Sequence, residues 1–392
     1  MLHRLLPPFS RDQWFIFFGQ MTWGISSGLW VHLQPLYIRS LGADPREVGA
    51  TLSLAGLLVI FIYIPMGLVA DRWRRKPIII ASWILGTIAT LLIGLAPDWR
   101  WAIPAFSLSL LSSFSRPAVA GHVAATDHSD NPSRTFAFLW TGFSLGSILS
   151  PSVGGWIAEV YDLRMVFYVA SVIGTISTII MFQIRDVAPI KLRAVQRNGL
   201  RQLLSDRPFF GQIVLIFAIV LAMEVGTVFA PVYLRDVKGV SLQALGQLGS
   251  VASAGMFTLT LGLGNMRNDQ LRPLLLNQLL VMAGLSFLLL SPAGLRFPIL
   301  LLCGYFLLGG CRAVMPLTRG RLSHWLPPQA LGAGFGLLDT ASQAATFLAP
   351  LVAGLLYARQ PTWTLYGGLA GLSFTLALTL ASLTLRRVPA LS

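Results

Sequence analysis

Gly67-Leu68-Val69-Ala70-Asp71-Arg72-Trp73-Arg74-Arg75-Lys76-Pro77 is a knot of charge set between two apolar runs. Upstream, residues 51–66 carry no charged side chain, and downstream, residues 78–96 carry none. Crossing the hydrocarbon of a bilayer takes ~20 mostly apolar residues in a helix. The stretch therefore reads as a short polar loop joining two membrane-length helices.

The whole chain has the same character. Of its 392 residues 55% are hydrophobic and only 11% charged, with a mean hydropathy of +0.69. A soluble domain carries about 25% charged residues, so this is the balance of a polytopic helical membrane protein. Twelve apolar segments can be read, at roughly 14–36, 47–70, 77–96, 101–123, 135–158, 165–184, 209–234, 241–264, 273–291, 297–318, 332–357 and 363–385. A net charge of +14 is the balance of many nucleic-acid binders, but its distribution argues otherwise. With the N-terminus inside, nineteen Arg and Lys fall in segments on the cytoplasmic side against eight on the other. That asymmetry sets orientation by the positive-inside rule. Both termini are expected in the cytoplasm, in an integral plasma (inner) membrane protein. The first apolar run is too long for a cleavable signal peptide and lacks a small-residue cleavage site. Cys303 and Cys311 sit eight residues apart on one predicted helix, too far to bridge.

The two halves of the chain read as copies. Pro35-Leu36-Tyr37-Ile38-Arg39 matches Pro231-Val232-Tyr233-Leu234-Arg235, and Arg116 matches Arg312 at the same offset. Phe136, Leu139, Thr141, Pro151 and Gly155 match Phe335, Leu338, Thr340, Pro350 and Gly354 at a nearly equal one. Repeats on this scale are a known construction of transporters, with substrate held between them near the membrane midplane. The predicted organisation is a six-helix half over 1–184, a basic linker over 185–208 and a second six-helix half over 209–392. The linker reads as a solvated cytoplasmic connector, or in part as an amphipathic helix on anionic lipid.

A second motif lies in the fifth segment, Gly146-Ser147-Ile148-Leu149-Ser150-Pro151-Ser152-Val153-Gly154-Gly155. Small residues let helices approach closely in lipid, and a proline kinks a helix whose freed carbonyl a neighbour can satisfy. The spacing G-x-x-x-D-R-x-x-R-K of the 67–77 loop resembles the signature loop of the major facilitator superfamily. The 146–155 stretch resembles the G-x-x-x-G-P-x-x-G-G pattern of that family's twelve-helix drug/proton antiporter branch. Two departures stand out: Arg74 where the loop usually has Gly, and Ser150 in place of one Gly. The resemblance covers almost the whole chain. It implies an all-α fold of twelve transmembrane helices in two pseudo-symmetric halves. It also implies a conformational clamp on the cytoplasmic side, here Gly67, Asp71, Arg72 and Arg75, paired with Asp339 near the start of the eleventh segment.

Charge at bilayer depth costs ~2.5–3.5 kcal/mol on insertion scales and usually faces a cavity or a partner. The ionisable candidates are Glu224, Asp339, Arg116 and Arg312. Glu224 falls nearly mid-helix in the seventh segment and is the best proton carrier. The resemblance implies that segments one, four, seven and ten line a central cavity, and that an Arg such as Arg116 is linked to proton coupling. For each Arg a bond to the carbonyls of a neighbouring helix accounts for its presence equally well. Trp23, Ser27, Trp30 and Gln34 share a helical face by the 3.6 period, as do Ser109, Ser113 and Arg116, and Glu224, Thr227 and Pro231. With Arg312 they form a candidate cavity surface suited to amphipathic or cationic organic molecules. Trp14 and Trp99 read as interface anchors, and His32 as a hydrogen-bonded helix residue.

There is no phosphate-cradling loop ending in Lys-Ser/Thr and no His/Cys/carboxylate cluster at ligand spacing, so neither an enzyme nor a cofactor or metal is expected. The function read from these features is alternating-access secondary transport by a monomer with protons, membrane lipids and a small-molecule substrate as partners. Proton-coupled efflux of small amphipathic compounds leads. Uptake or exchange of a polar metabolite such as a sugar or organic anion, and lipid flipping, are the alternatives.

Overall fold

The computed structural model describes residues 10–70, 74–115, 118–119, 122–123, 132–186, 207–264, 272–292, 297–311 and 331–385. Within them all regular structure is helical. Two compact units emerge, one of residues 1–193 with 239–250, the other of 194–238 with 251–392.

The first unit opens with α1 (Arg11–Trp30), started by a capping box. The Gln13 amide donates to the Ser10 hydroxyl at 3.3 Å, and the Ser10 amide donates to the Gln13 side chain at 2.8 Å. The first predicted segment does not run on unbroken. Pro35 has no N–H for the preceding turn, so α1 gives way at residues 31–33 to a short α2 (Gln34–Ser40) with that proline in its first turn. Then come α3 (Pro45–Ala70), α4 (Arg75–Leu95), α5 (Trp99–Leu111), a 3₁₀ turn (Ser112–Ser115), α6 (Pro132–Val160) and α7 (Leu163–Phe182).

α1 is the centre of this unit and α6 its closest partner. The two backbones nearly touch: a Cβ added to Gly146 would lie 2.0 Å from the Met21 carbonyl oxygen, and one on Gly154 would lie 1.9 Å from that of Leu29. Only a missing side chain permits this approach. On other flanks polar groups link the helices. The Ser26 hydroxyl donates to the Ala170 carbonyl at 2.7 Å, and Ser177 donates to that of Gly19 at 2.7 Å. Trp83 Nε1 donates to the Ser177 hydroxyl at 2.9 Å. In a solvent that offers no hydrogen bonds such pairs add to van der Waals packing.

The second unit repeats the opening device. α8 (Arg207–Thr227) breaks before α9 (Ala230–Asp236), whose first turn holds Pro231. Tyr37 on α2 and Tyr233 on α9 are both buried, at 0% and 1% exposure. Each short helix is followed by a left-handed glycine, Gly42 at φ 92° and Gly239 at φ 67°, where a Cβ would be strained. α10 (Leu242–Gly264), α11 (Arg272–Leu290), α12 (Pro298–Cys311), α13 (Leu331–Arg359) and α14 (Trp363–Leu385) follow among the described residues. In this unit α8 packs on α13 and α14, with Phe229 stacked on Tyr357 at 4.9 Å between ring centroids. The Phe287 ring fills the space that a Cβ on Gly226 would need.

Among the described residues, four helical stretches are long and apolar enough to cross a membrane: Arg75–Leu95, Leu163–Phe182, Phe209–Asp236 and Leu337–Arg359. Their outward faces carry side chains that water would penalise. Val172, Ile179 and Leu355 are half or more exposed, and beside them Leu149 on α6 is 72% exposed.

Candidate transport site

The breaks place the candidate side chains. Glu224 lies in the last turn of α8, inside the Phe209–Asp236 span. Its backbone carbonyl accepts the Val228 amide at 3.0 Å and lies 3.5 Å from the Thr227 hydroxyl, closing the helix just before the break. Glu224 as a residue is half-buried. The sequence predicts Glu224 in the middle of one continuous helix; it lies instead one turn before an interruption, because Pro231 cannot continue the ladder. Interrupted helices at matching places in two repeats mark where transporters hold their substrates and ions. The matched prolines carry that signal in the sequence.

On α1 the predicted cavity face divides. Trp23 is half-buried, 5.8 Å from the Trp83 ring, and its indole lies over Gly86. Ser27 is half-buried and spends its hydroxyl on the Trp23 carbonyl at 3.0 Å. Trp30 is only 9% exposed, within an aromatic group formed with Phe106 and Phe167, ring centroids at 6.1 and 5.5 Å; Tyr37 joins it against Phe167 at 4.4 Å. Trp30 is thus part of the core of its unit. Gln34 is half-buried at the start of α2, beyond the break, so it does not continue the α1 face. Ser113 is half-buried in the 3₁₀ turn, whose other serines are engaged: Ser115 donates to the Ser82 hydroxyl at 2.7 Å, and Ser82 to the Ser112 carbonyl. Arg116 and Arg312 lie outside the described residues.

The charged loop separates into two kinds of residue. Gly67 is in the last turn of α3, and Asp71 and Arg72 lie outside the described residues. Arg74 precedes α4 and pairs with Asp186 at 2.9 Å, with 75% of its own side chain exposed. Such a pair contributes about 0–1 kcal/mol. Arg75 is 6% exposed. A cation that merely fixed topology would stay in water, so Arg75 belongs to the interior. Asp339 is half-buried on α13 in the second unit.

The motif on α6 has two faces. Gly146, Ser150 and Gly154 meet α1, where the Ser150 hydroxyl oxygen lies against Gly28. Pro151 and Gly155 meet the first turns of α10, the part of that helix grouped with the first unit. A Cβ on Gly155 would lie 2.5 Å from the Leu242 carbonyl oxygen, and one on Gly246 would lie 2.3 Å from that of Pro151. Alongside, the Ser152 amide donates to the Ser250 hydroxyl at 3.0 Å, and the two hydroxyls are 2.7 Å apart. Glu159 accepts the Leu242 amide at 2.6 Å, a carboxylate at a helix N-terminus. The His32 ring lies over Gly249. The sequence pattern marks the α6 glycines but not Gly246, Gly249, Ser250 and Glu159. The spacing of Gly246, Gly249 and Ser250 on one helix face is the signal that could have found the first three.

These features of fold and site agree with the comparisons. The Major Facilitator Superfamily profile matches residues 15–309. The chain belongs to this superfamily: it is an integral membrane protein and a transporter, not an enzyme. It is 27% identical to multidrug resistance protein MdtG of Rahnella sp., over 87% of this chain and 86% of that one. It is 23% identical to the class B tetracycline resistance protein of Escherichia coli, over 92% of both. Its fold matches the crystal structure of nucleoside transporter NupG with a TM-score of 0.76 at 15% identity, covering 97% of this chain and 100% of that one.

Proposed function

We propose that the protein exports small amphipathic organic compounds in exchange for protons. In this reading twelve helices form two pseudo-symmetric six-helix halves that rock about a central site, in a monomer in the inner membrane with both termini cytoplasmic. The observation that carries the reading is the α6 motif. Its glycines and proline seat α6 against α1 on one side and the start of α10 on the other, so a shift of α10 along this surface of small residues can open one side of the site. The names of the relatives, multidrug and tetracycline resistance proteins, support efflux and a broad apolar substrate class. Glu224 carries the coupling proton at the α8 break, with Asp339, Arg116 and Arg312 as further coupling groups. Trp23, Ser27, Gln34, Ser113 and Thr227 contact substrate, and Gly67, Asp71, Arg72, Arg75 and Asp339 clamp the cytoplasmic side.

Proteoliposomes holding the purified protein test the reading. Tetracycline and a lipophilic cation are offered outside, with the lumen acidified. Accumulation that collapses when a protonophore removes the pH gradient is the expected result. Accumulation indifferent to the protonophore would remove proton coupling, and transport of neither probe would remove the substrate class.

A further inference from the structure

The first unit also buries a set of ionisable groups that this transport scheme leaves unused. Asp12, in the first turn of α1, is 4% exposed, and His122 is 0% exposed. His122 Nε2 lies 3.3 Å from Asp12 Oδ2. The same oxygen accepts the Arg185 amide at 3.2 Å. Asp12 Oδ1 is buried with no hydrogen-bond partner among the described residues. Burial acts on the imidazole most strongly, then Asp12, and two further charges reach it, those of the buried Arg75 at the head of α4 and of Asp186 beyond α7. Asp186 in turn holds the exposed Arg74.

A buried carboxylate whose oxygens are only partly met by donors is a costly arrangement to keep for packing alone. An amide pair would fill the same space without it. Imidazole is the side chain that exchanges its proton closest to neutrality, and a carboxylate beside it is a partner for the charged form.

We propose that Asp12 and His122 form a proton-binding site within the first unit, separate from Glu224. The neutral ring donates its Nε2–H to Asp12, since the carboxylate can only accept. A proton delivered by hydronium adds to the second ring nitrogen, leaving water and an imidazolium–carboxylate pair; release reverses the step. Arg75 is the opposing charge. When its guanidinium lies near, the imidazolium is disfavoured, and when it is drawn away the proton is taken up. Because Arg75 opens α4, a displacement of that helix end and proton occupancy of the pair are linked. The site stands on its own geometry and does not require Glu224 to be the coupling acid.

The test is histidine NMR of ¹³C-labelled protein in lipid nanodiscs, which reads protonation without any transport assay. The chain has five histidines. His122 is identified by the resonance lost in His122→Gln or, should that variant not fold, as the one left when the other four are replaced. Reversible protonation of His122 is expected as the pH is lowered from about 8 to about 4. Asp12→Asn should move its midpoint to lower pH by about one unit, and Arg75→Gln should move it higher. A His122 resonance that does not change over that range overturns the site, whatever the variants do. A midpoint unmoved in Asp12→Asn overturns the pair, and one unmoved in Arg75→Gln overturns the link to Arg75.

Discussion

Glu224 is a carboxyl placed by a broken helix. The α8 ladder stops one turn after it, and Gln would keep its shape and its neutral-state hydrogen bonds. Glu224→Gln is therefore expected to abolish transport driven by a pH gradient while leaving substrate exchange without a gradient largely intact. Full gradient-driven transport in this variant would exclude Glu224 as the proton carrier, and Asp339 would be the next acid to replace. Arg74 and Arg75 make a contrast between neighbours. Arg74→Ala breaks an exposed ion pair and should change stability by no more than about 1 kcal/mol. Arg75→Ala removes a buried cation, and its loss should lower the melting temperature distinctly more than that of Arg74. Equal melting curves for the two would show that burial of Arg75 carries no energetic weight. The alternation of charged and apolar stretches was legible in the sequence, but which of two adjacent arginines turns inward was not. That depends on how α4 is rotated against α1 and α7.

At the scale of the element, α6 divides its small residues between two partners, and substitution on each face should fail differently. Gly154→Val forces a side chain into the Leu29 backbone and should destabilise the first unit by about 1–3 kcal/mol, or prevent its folding. Gly155→Val presses instead on the Leu242 carbonyl, so α10 has to move away while the α1–α6 seam stays shut. The expected outcome is a folded protein in which a cysteine placed at Ser250 reacts faster with a membrane-impermeant thiol reagent. Unchanged reactivity would mean that the α6–α10 crossing is packing alone and not a moving surface. The helices that the sequence starts at about 14 and 135 begin a few residues earlier, at the Ser10 cap and at Pro132. The interruptions at residues 31–33 and 228–229 leave no trace in hydropathy, which does not change there. Only the loss of an amide donor at Pro35 and Pro231 marks them.

For the whole molecule, orientation and closure are the quantities to measure. Tags at the N-terminus, at Gln196 and at the C-terminus are all expected to report cytoplasmic, from the excess of Arg and Lys on alternate loops. A Gln196 tag accessible from outside intact cells would overturn the twelve-segment arrangement. If the 67–77 loop clamps the cytoplasmic side, Asp71→Asn should raise labelling of a cysteine probe at the cytoplasmic ends of the fifth and eleventh segments. An unchanged pattern would leave that loop as a topology anchor only.

The sequence by itself determined that the chain is a helical membrane protein, that it belongs with the facilitators and that its halves share a pattern. Those properties follow from local quantities: apolar length, charge placement and the spacing of small residues, each of which acts through the residue's own backbone and solvent. The tertiary structure alone decided that Trp30 enters an aromatic core, that Gly155 meets Gly246 and that Asp12 finds His122. Residues 12 and 122 are joined by no periodicity. They meet because the α1–α6 and α4–α7 seams, formed by glycines that let backbones touch and by serines that bond across helices, fix the packing of the unit and leave one buried space for both side chains.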